Sequence, residues 1–149
     1  MEFKELVTRR YSCKKYGDSL VADDTIASVL EVARHAPTAK NLQEQHVYVI
    51  KSEEGLAKVD ELTPCRYGAP VVLMVAFNSK NVFTYPGGKR NSGIEDASIV
   101  ATHLVLAAAD AGVDSCWVNN FNPEKAAEGA GPLANHASRK PIEETVSYL

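Results

Sequence analysis

Residues 9–15 read Arg9-Arg10-Tyr11-Ser12-Cys13-Lys14-Lys15, with four cations and a hydroxyl inside seven positions. Arg donates through a planar fork, Ser through a hydroxyl and Lys as a point charge, a set that suits a phosphate. The same residues equally make an ordinary solvated basic turn. A second segment, Ala36-Pro37-Thr38-Ala39-Lys40-Asn41-Leu42-Gln43, consists of common loop residues. Its carboxamides, Asn41 and Gln43, can nevertheless match the donors and acceptors of a planar heterocycle. Cys116 is flanked by Trp117 and Val118 in a strand-like run and reads as an inert buried thiol rather than a nucleophile. Asp96 reads as an acidic residue in the first turn of its helix, favoured there by the dipole. His35, His46 and His103 have no Ser or Cys partner at triad spacing, and no Cys or His pair has metal-binding spacing, so no metal is expected. Neither GxGxxG nor GxxxxGK[ST] occurs, which removes the common dinucleotide and P-loop signatures.

The elements that must hold these segments follow from apolar periodicity. Phe3, Leu6 and Val7 are spaced for one helix face leading directly into Arg9. Residues 23–35 form a better helix, with Ile26, Val29, Leu30 and Ala33 on one side, Asp23 or Asp24 as cap, and Pro37 as stop. Residues 46–50 predict a strand and 53–62 a short surface helix. Pro70 opens Val71 to Phe77, apolar on both alternating faces as a central strand covered on both sides would be. Residues 78–93 read as a loop. Residues 94–111 are the longest helix, apolar nearly all round and so expected at the core or a subunit interface, with Gly112 as stop. Residues 115–118 predict a short buried strand, followed by the polar turn Asn119-Asn120. Beyond Asn122 there is little core material, and only residues 145–149 are strand-like. A tail of that kind gains a reason to order by docking on a second subunit. The element order, without repeats, makes an α+β or three-layer α/β chain.

Composition sets the outer bounds. A chain of 149 residues predicts one domain, spanning 1–149. With 45% hydrophobic and 23% charged residues, it is neither disordered nor fibrous. Sixteen Lys and Arg against nineteen Asp and Glu give a net charge of -3, which argues against nucleic acid as a partner. Three cysteines without a CxxC pair suit a reducing, cytoplasmic setting. The opening Met1-Glu2-Phe3-Lys4-Glu5-Leu6 has no signal-like apolar core, and the longest apolar run, 69–77, is too short for a membrane helix. No membrane partner is expected.

Four motifs in order give the chain a resemblance. Arg9 to Tyr16 resembles the opening arginine-serine-arginine/lysine motif of the flavin-dependent nitroreductases. Ala36 to Gln43 is similar to their alanine-proline-serine-x-x-asparagine-x-glutamine loop, and residues 96–118 to their long central helix and following strand. Ser138-Arg139-Lys140-Pro141-Ile142-Glu143-Glu144 resembles their closing basic-proline-acidic motif. Relatives carry a surface helix and a further core strand before that closing motif, where this chain has residues 125–131. Losing a core strand would leave a sheet edge unpaired, so residues are expected to be missing from the sequence there rather than the chain being naturally shortened.

The resemblance implies a three-layer α/β/α nitroreductase-like fold assembled as an intertwined homodimer, with residues 122–149 wrapping onto the partner. It implies FMN at the subunit interface. Arg10, Ser12 and Lys14 would contact its phosphate, ribityl and pyrimidine side, with Arg9 and Tyr11 alongside and Arg139 and Lys140 at the phosphate. Pro37, Thr38, Ala39 and Asn41 would come from the other subunit, and Trp117, Val118, Asn119 and Asn120 would lie on the opposite face of the flavin. FMN carries the redox chemistry, which accounts for a sequence without an acid, base or nucleophile motif. The implied activity is two-electron transfer from NAD(P)H to a small-molecule electron acceptor, a nitroaromatic or quinone. The alternatives are a non-catalytic FMN carrier, or a flavin enzyme of this fold performing dehalogenation or flavin fragmentation.

Overall fold

A computed structural model describes residues 2–17, 19–129 and 146–148. Five helices, α1 (Phe3–Arg9), α2 (Asp23–Arg34), α3 (Glu53–Leu62), α4 (Gly93–Asp110) and α5 (Pro123–Gly129), surround three strands, β1 (Gln45–Ile50), β2 (Val72–Phe77) and β3 (Val146–Tyr148). The sheet order is β2-β1-β3, with β1 antiparallel to β2 and parallel to β3.

Strand alternation divides the core into two layers. Val47 and Val49 of β1, with Leu73 and Val75 of β2, pack on α2 and α4 through Ile26, Val29, Leu30, Val100 and Leu104. Tyr48 and Ile50, with Val72 and Met74, face the other way onto Val59 and Leu56 of α3. Helices therefore cover both faces, which gives the three-layer arrangement. Each fully buried Val or Leu in these layers contributes about 1.5–3 kcal/mol relative to exposure. Gly93 begins α4 where a Cβ would run into the Phe77 ring, so glycine lets the helix start close to the end of β2 without displacing that ring. Gly112, at φ +74, ends α4. Its N–H bonds the Ala109 carbonyl at 3.1 Å and that of Val113 the Ala108 carbonyl at 2.8 Å, the paired bonds of a Schellman stop.

Several expectations are corrected. The central strand is β1; β2 is half-buried throughout. Its apolar double face is met by helices on both sides, but its outer edge carries no strand among the described residues. A groove of about 840 Å³ lies between it and residues 115–119. Residues 115–118 make no regular strand; Ser115 forms one isolated parallel bridge with Ser12. A short strand needs a neighbouring ladder, and here there is only one contact. Residues 78–93 are tied by a Thr84–Asn91 bridge and a Tyr85 N–H to Arg90 carbonyl bond of 3.0 Å. Phe3 and Val7 stay exposed, and only Leu6 of α1 is buried. Ala22, not an aspartate, occupies the N-cap of α2. Asn122, expected to open a coreless tail, caps α5 by accepting the Lys125 N–H at 2.9 Å, and Ala126 is buried.

β3 pairs in parallel with β1, with Val47 opposite Val146 and Val49 opposite Tyr148. The backbone groups on that side of β1 accept an added strand. No described helix is long and apolar enough to cross a membrane.

Candidate functional site

The predicted site residues gather at the two ends of α4. At its C-terminal end, α1 finishes at Arg9 and the chain turns extended through Arg10. Cys13 N–H donates to the Ser115 carbonyl at 3.0 Å, so residues 10–14 run alongside 112–117. A cavity there is lined by Arg9, Arg10, Tyr11, Gly112, Asp114 and Ser115. Arg9 reaches Glu5 at 3.5 Å, whereas Arg10 and Lys14 form no ion pair among the described residues. Ser12 is exposed beside them. Ser115 adds a buried hydroxyl without a hydrogen-bond partner on the same wall, a donor that strand-like patterning concealed. Cations without counter-charges, plus free hydroxyls, fit a bound anion such as the FMN phosphate.

One acid tempers that charge. The Tyr11 hydroxyl donates to Asp114 Oδ2 at 2.9 Å. This bond, followed by one with Cys13, pushes the tyrosine up to about 12 and keeps it a neutral donor at pH 7.

Trp117 to Asn120 lie at the same end. Trp117 is 40% exposed and its indole N–H donates to Asn119 Oδ1 at 2.9 Å, presenting a fixed flat ring. The Thr63 hydroxyl donates to the Asn120 carbonyl at 2.6 Å, and Asn120 Nδ2 approaches Cys65 Sγ at 3.5 Å. Hydrogen bonds from Tyr67 and Asn120, with a smaller contribution from the Lys14 charge, lower the Cys65 thiol below its ordinary value. Cys116 is half-buried, its Sγ 3.7 Å from the Trp117 carbonyl.

Pro37, Thr38, Ala39 and Asn41 sit at the other end of α4. Ala39 N–H donates to Asp96 Oδ1 at 2.9 Å, and the Ser92 hydroxyl donates to Asp96 Oδ2 at 2.6 Å. Asp96, read from sequence as a simple first-turn acid, is 4% exposed and bridges helix to loop. Lys40, Asn41 and Gln43 all take left-handed φ near +53° (52, 54 and 54). Such a cluster of non-glycine residues is strained unless its surroundings hold it. The holding bonds are Gln43 N–H to Thr38 Oγ1 at 3.1 Å and Gln43 Nε2 to Asn41 Oδ1 at 2.6 Å, with Lys40 Nζ 5.0 Å over the Phe83 ring. The mutual bond leaves the Asn41 amino group and the Gln43 carbonyl for a ligand.

At 1.5 Å per residue, the stretch of α4 between the two groups measures roughly 20 Å. The fold thus unites Arg9 to Lys14 with Trp117 to Asn120, and keeps Pro37 to Asn41 away from them within one chain. Arg139 and Lys140 lie outside the described residues.

Residues 7–66 and 62–146 match the sequence pattern of the Nitroreductase family. A Methanothermobacter thermautotrophicus protein, provisionally named an NADH dehydrogenase/NAD(P)H nitroreductase, is 30% identical over 134 residues. That alignment covers 87% of this chain, which spans 66% of the relative's length. A nitroreductase family protein from Clostridium difficile 630 is 38% identical and superposes with a TM-score of 0.82 over 86% of this chain and 74% of its own. A nitroreductase-fold structure from Exiguobacterium sibiricum 255-15, solved in complex with FMN, is 20% identical with a TM-score of 0.78, covering 97% and 95% of the two chains.

Proposed function

The chain belongs to the nitroreductase family, and on that footing we propose that it is an FMN-dependent oxidoreductase carrying two electrons from NAD(P)H to a small-molecule acceptor of the nitroaromatic or quinone type. The observation that carries this reading is the set of donors around Ser115, suited to a phosphate, at the same end of α4 as an exposed tryptophan. FMN in the Exiguobacterium structure and the name of the Methanothermobacter relative support it from outside.

When bound, FMN supplies the redox chemistry, accepting two electrons from the nicotinamide and returning them to the acceptor. The chain's own residues bind and orient. Arg10 and Lys14 neutralise the phosphate, with Arg139 and Lys140 added to them and Arg9 at the rim. Ser12 donates toward the ribityl side with Tyr11 alongside, its hydroxyl committed to Asp114, while Trp117, Val118, Asn119 and Asn120 form a wall that limits water.

Pro37, Thr38, Ala39 and Asn41 complete the site in this reading only from a second copy, because roughly 20 Å of α4 separates them from Arg10. We therefore take residues 1–149 as one FMN-binding unit acting as a homodimer, each copy lending one end of α4 to each flavin. Three free thiols suit a cytoplasmic setting.

The test is the absorbance spectrum of the purified protein, followed by anaerobic addition of NADH and then NADPH. A flavin spectrum that bleaches and returns with a quinone is the expected result. Flavin that never bleaches leaves the carrier reading, and protein that takes up no FMN removes both.

A further inference from the structure

We infer that Asp96 is a positioning residue for the flavin-facing loop, acting through the Ala39 amide; this rests on the FMN reading above. Asp96 lies in the first turns of α4, where the helix N-terminus favours its negative charge. It is 4% exposed, and the neighbouring Ser92 is 1% exposed. A carboxylate so deeply buried costs stability unless its lone pairs are taken. One oxygen accepts the Ser92 hydroxyl at 2.6 Å, inside its own helix terminus. The other crosses 57 positions of sequence to accept Ala39 N–H at 2.9 Å.

That second bond falls at the one place where the loop needs an external anchor. Immediately after Ala39 come Lys40 and Asn41, both left-handed, with Gln43 left-handed again. Each such residue carries a conformational cost that persists only where the surroundings over-determine the backbone. The other hydrogen bonds of the loop run from Gln43 N–H to Thr38, Gln43 Nε2 to Asn41, Asn41 N–H to the Thr38 carbonyl and Leu42 N–H to the Ala39 carbonyl. They are internal to it and move with it, and the Lys40 ammonium lies over the Phe83 ring of another loop. Among the described residues, the Asp96–Ala39 bond is the hydrogen bond that ties the backbone of residues 38–43 to the buried core. Asp96 therefore sets where the free amide of Asn41 points, without touching the ligand.

The experiment measures FMN and riboflavin affinities by fluorescence quenching of the full chain, below its melting temperature. Asp96→Ala removes the acceptor. Ala39→Pro removes the donor from the exposed side, and the extended conformation of Thr38 (φ -131, ψ 157) is one that a residue before proline adopts. Asp96→Asn keeps an acceptor for the amide while losing the charge. Asp96→Ala and Ala39→Pro should each weaken both ligands by about 10-fold, leaving the FMN-to-riboflavin ratio unaltered, because the phosphate end is untouched. Asp96→Asn should stay within about 3-fold of the native chain. A merely structural Asp96 would lower the melting temperature and leave both affinities intact. That result in Asp96→Ala, or in Ala39→Pro should the first variant not fold, overturns the inference while FMN binding by the native chain keeps the functional reading. A native chain that binds neither flavin overturns both.

Discussion

The two ends of α4 solve opposite electrostatic problems. At the N-terminal end, a buried carboxylate is fully engaged by Ser92 and Ala39, and the neighbouring loop is locked into left-handed turns. At the C-terminal end, Arg10 and Lys14 form no ion pair among the described residues, and the Ser115 hydroxyl is buried without a partner. At one end the buried charge is matched as folded; the other has donors in excess. A closed network fixes geometry, whereas surplus donors hold binding energy in reserve for an anion. The contrast teaches that a site can be divided between pre-shaped backbone and unspent charge, each built by different local rules.

The contrast breaks most visibly if the two ends serve the same flavin within one chain. Chains carrying Arg10→Ala and chains carrying Asp96→Ala, each expected to bind FMN poorly alone, can be unfolded together and refolded as a mixture. With sites shared across a twofold dimer, half the assemblies are mixed and each has one unaltered site, so about a quarter of all sites should regain native affinity. No recovery in a flavin titration of the mixture would place each site inside a single chain.

A smaller effect sharpens the charge side. Arg10→Ala removes a charge-assisted bond worth about 1.5–3 kcal/mol, so FMN should bind roughly 10-fold or more weakly. Riboflavin, lacking the phosphate, should be almost unaffected. Equal losses for both ligands would move Arg10 away from the phosphate.

The smallest effect belongs to an exposed pair in the last turns of α2. Arg34 donates to Glu31 at 2.9 and 2.6 Å and holds the Glu31 carboxyl down at about 2. A carboxyl depressed in the native state stabilises it above the ordinary value of 4.5 and loses that contribution as pH falls toward 2. Because the pair is exposed, solvent screens most of it. Glu31→Gln should leave flavin affinity unchanged and lower the urea midpoint only slightly at pH 7, with the difference disappearing near pH 2. A large loss at pH 7 would mean that the exposed pair matters more than either buried network.

Local order was legible from residues alone wherever neighbours in the chain decide the outcome. Helix faces repeat every three or four positions, so α2 showed its buried side in Ile26, Val29, Leu30 and Ala33, whereas α4, apolar nearly all round, left its buried side to packing. Gly112 announced the end of α4, and alternation in β1 and β2 announced a sheet covered on both faces. The two loop segments of the candidate site were likewise visible as clustered donors in residues 9–15 and 36–43. Packing decided the rest. Asp96 looks like any first-turn acid until Ala39, 57 positions away, is brought against it. Ser115 looks like part of a strand until Ser12 proves to be its sole bridge partner among the described residues. Periodicity and capping act over a few residues, where side-chain chemistry nearly fixes the backbone. Contacts between distant segments depend on which surfaces the assembled core leaves free, and no single segment contains that information.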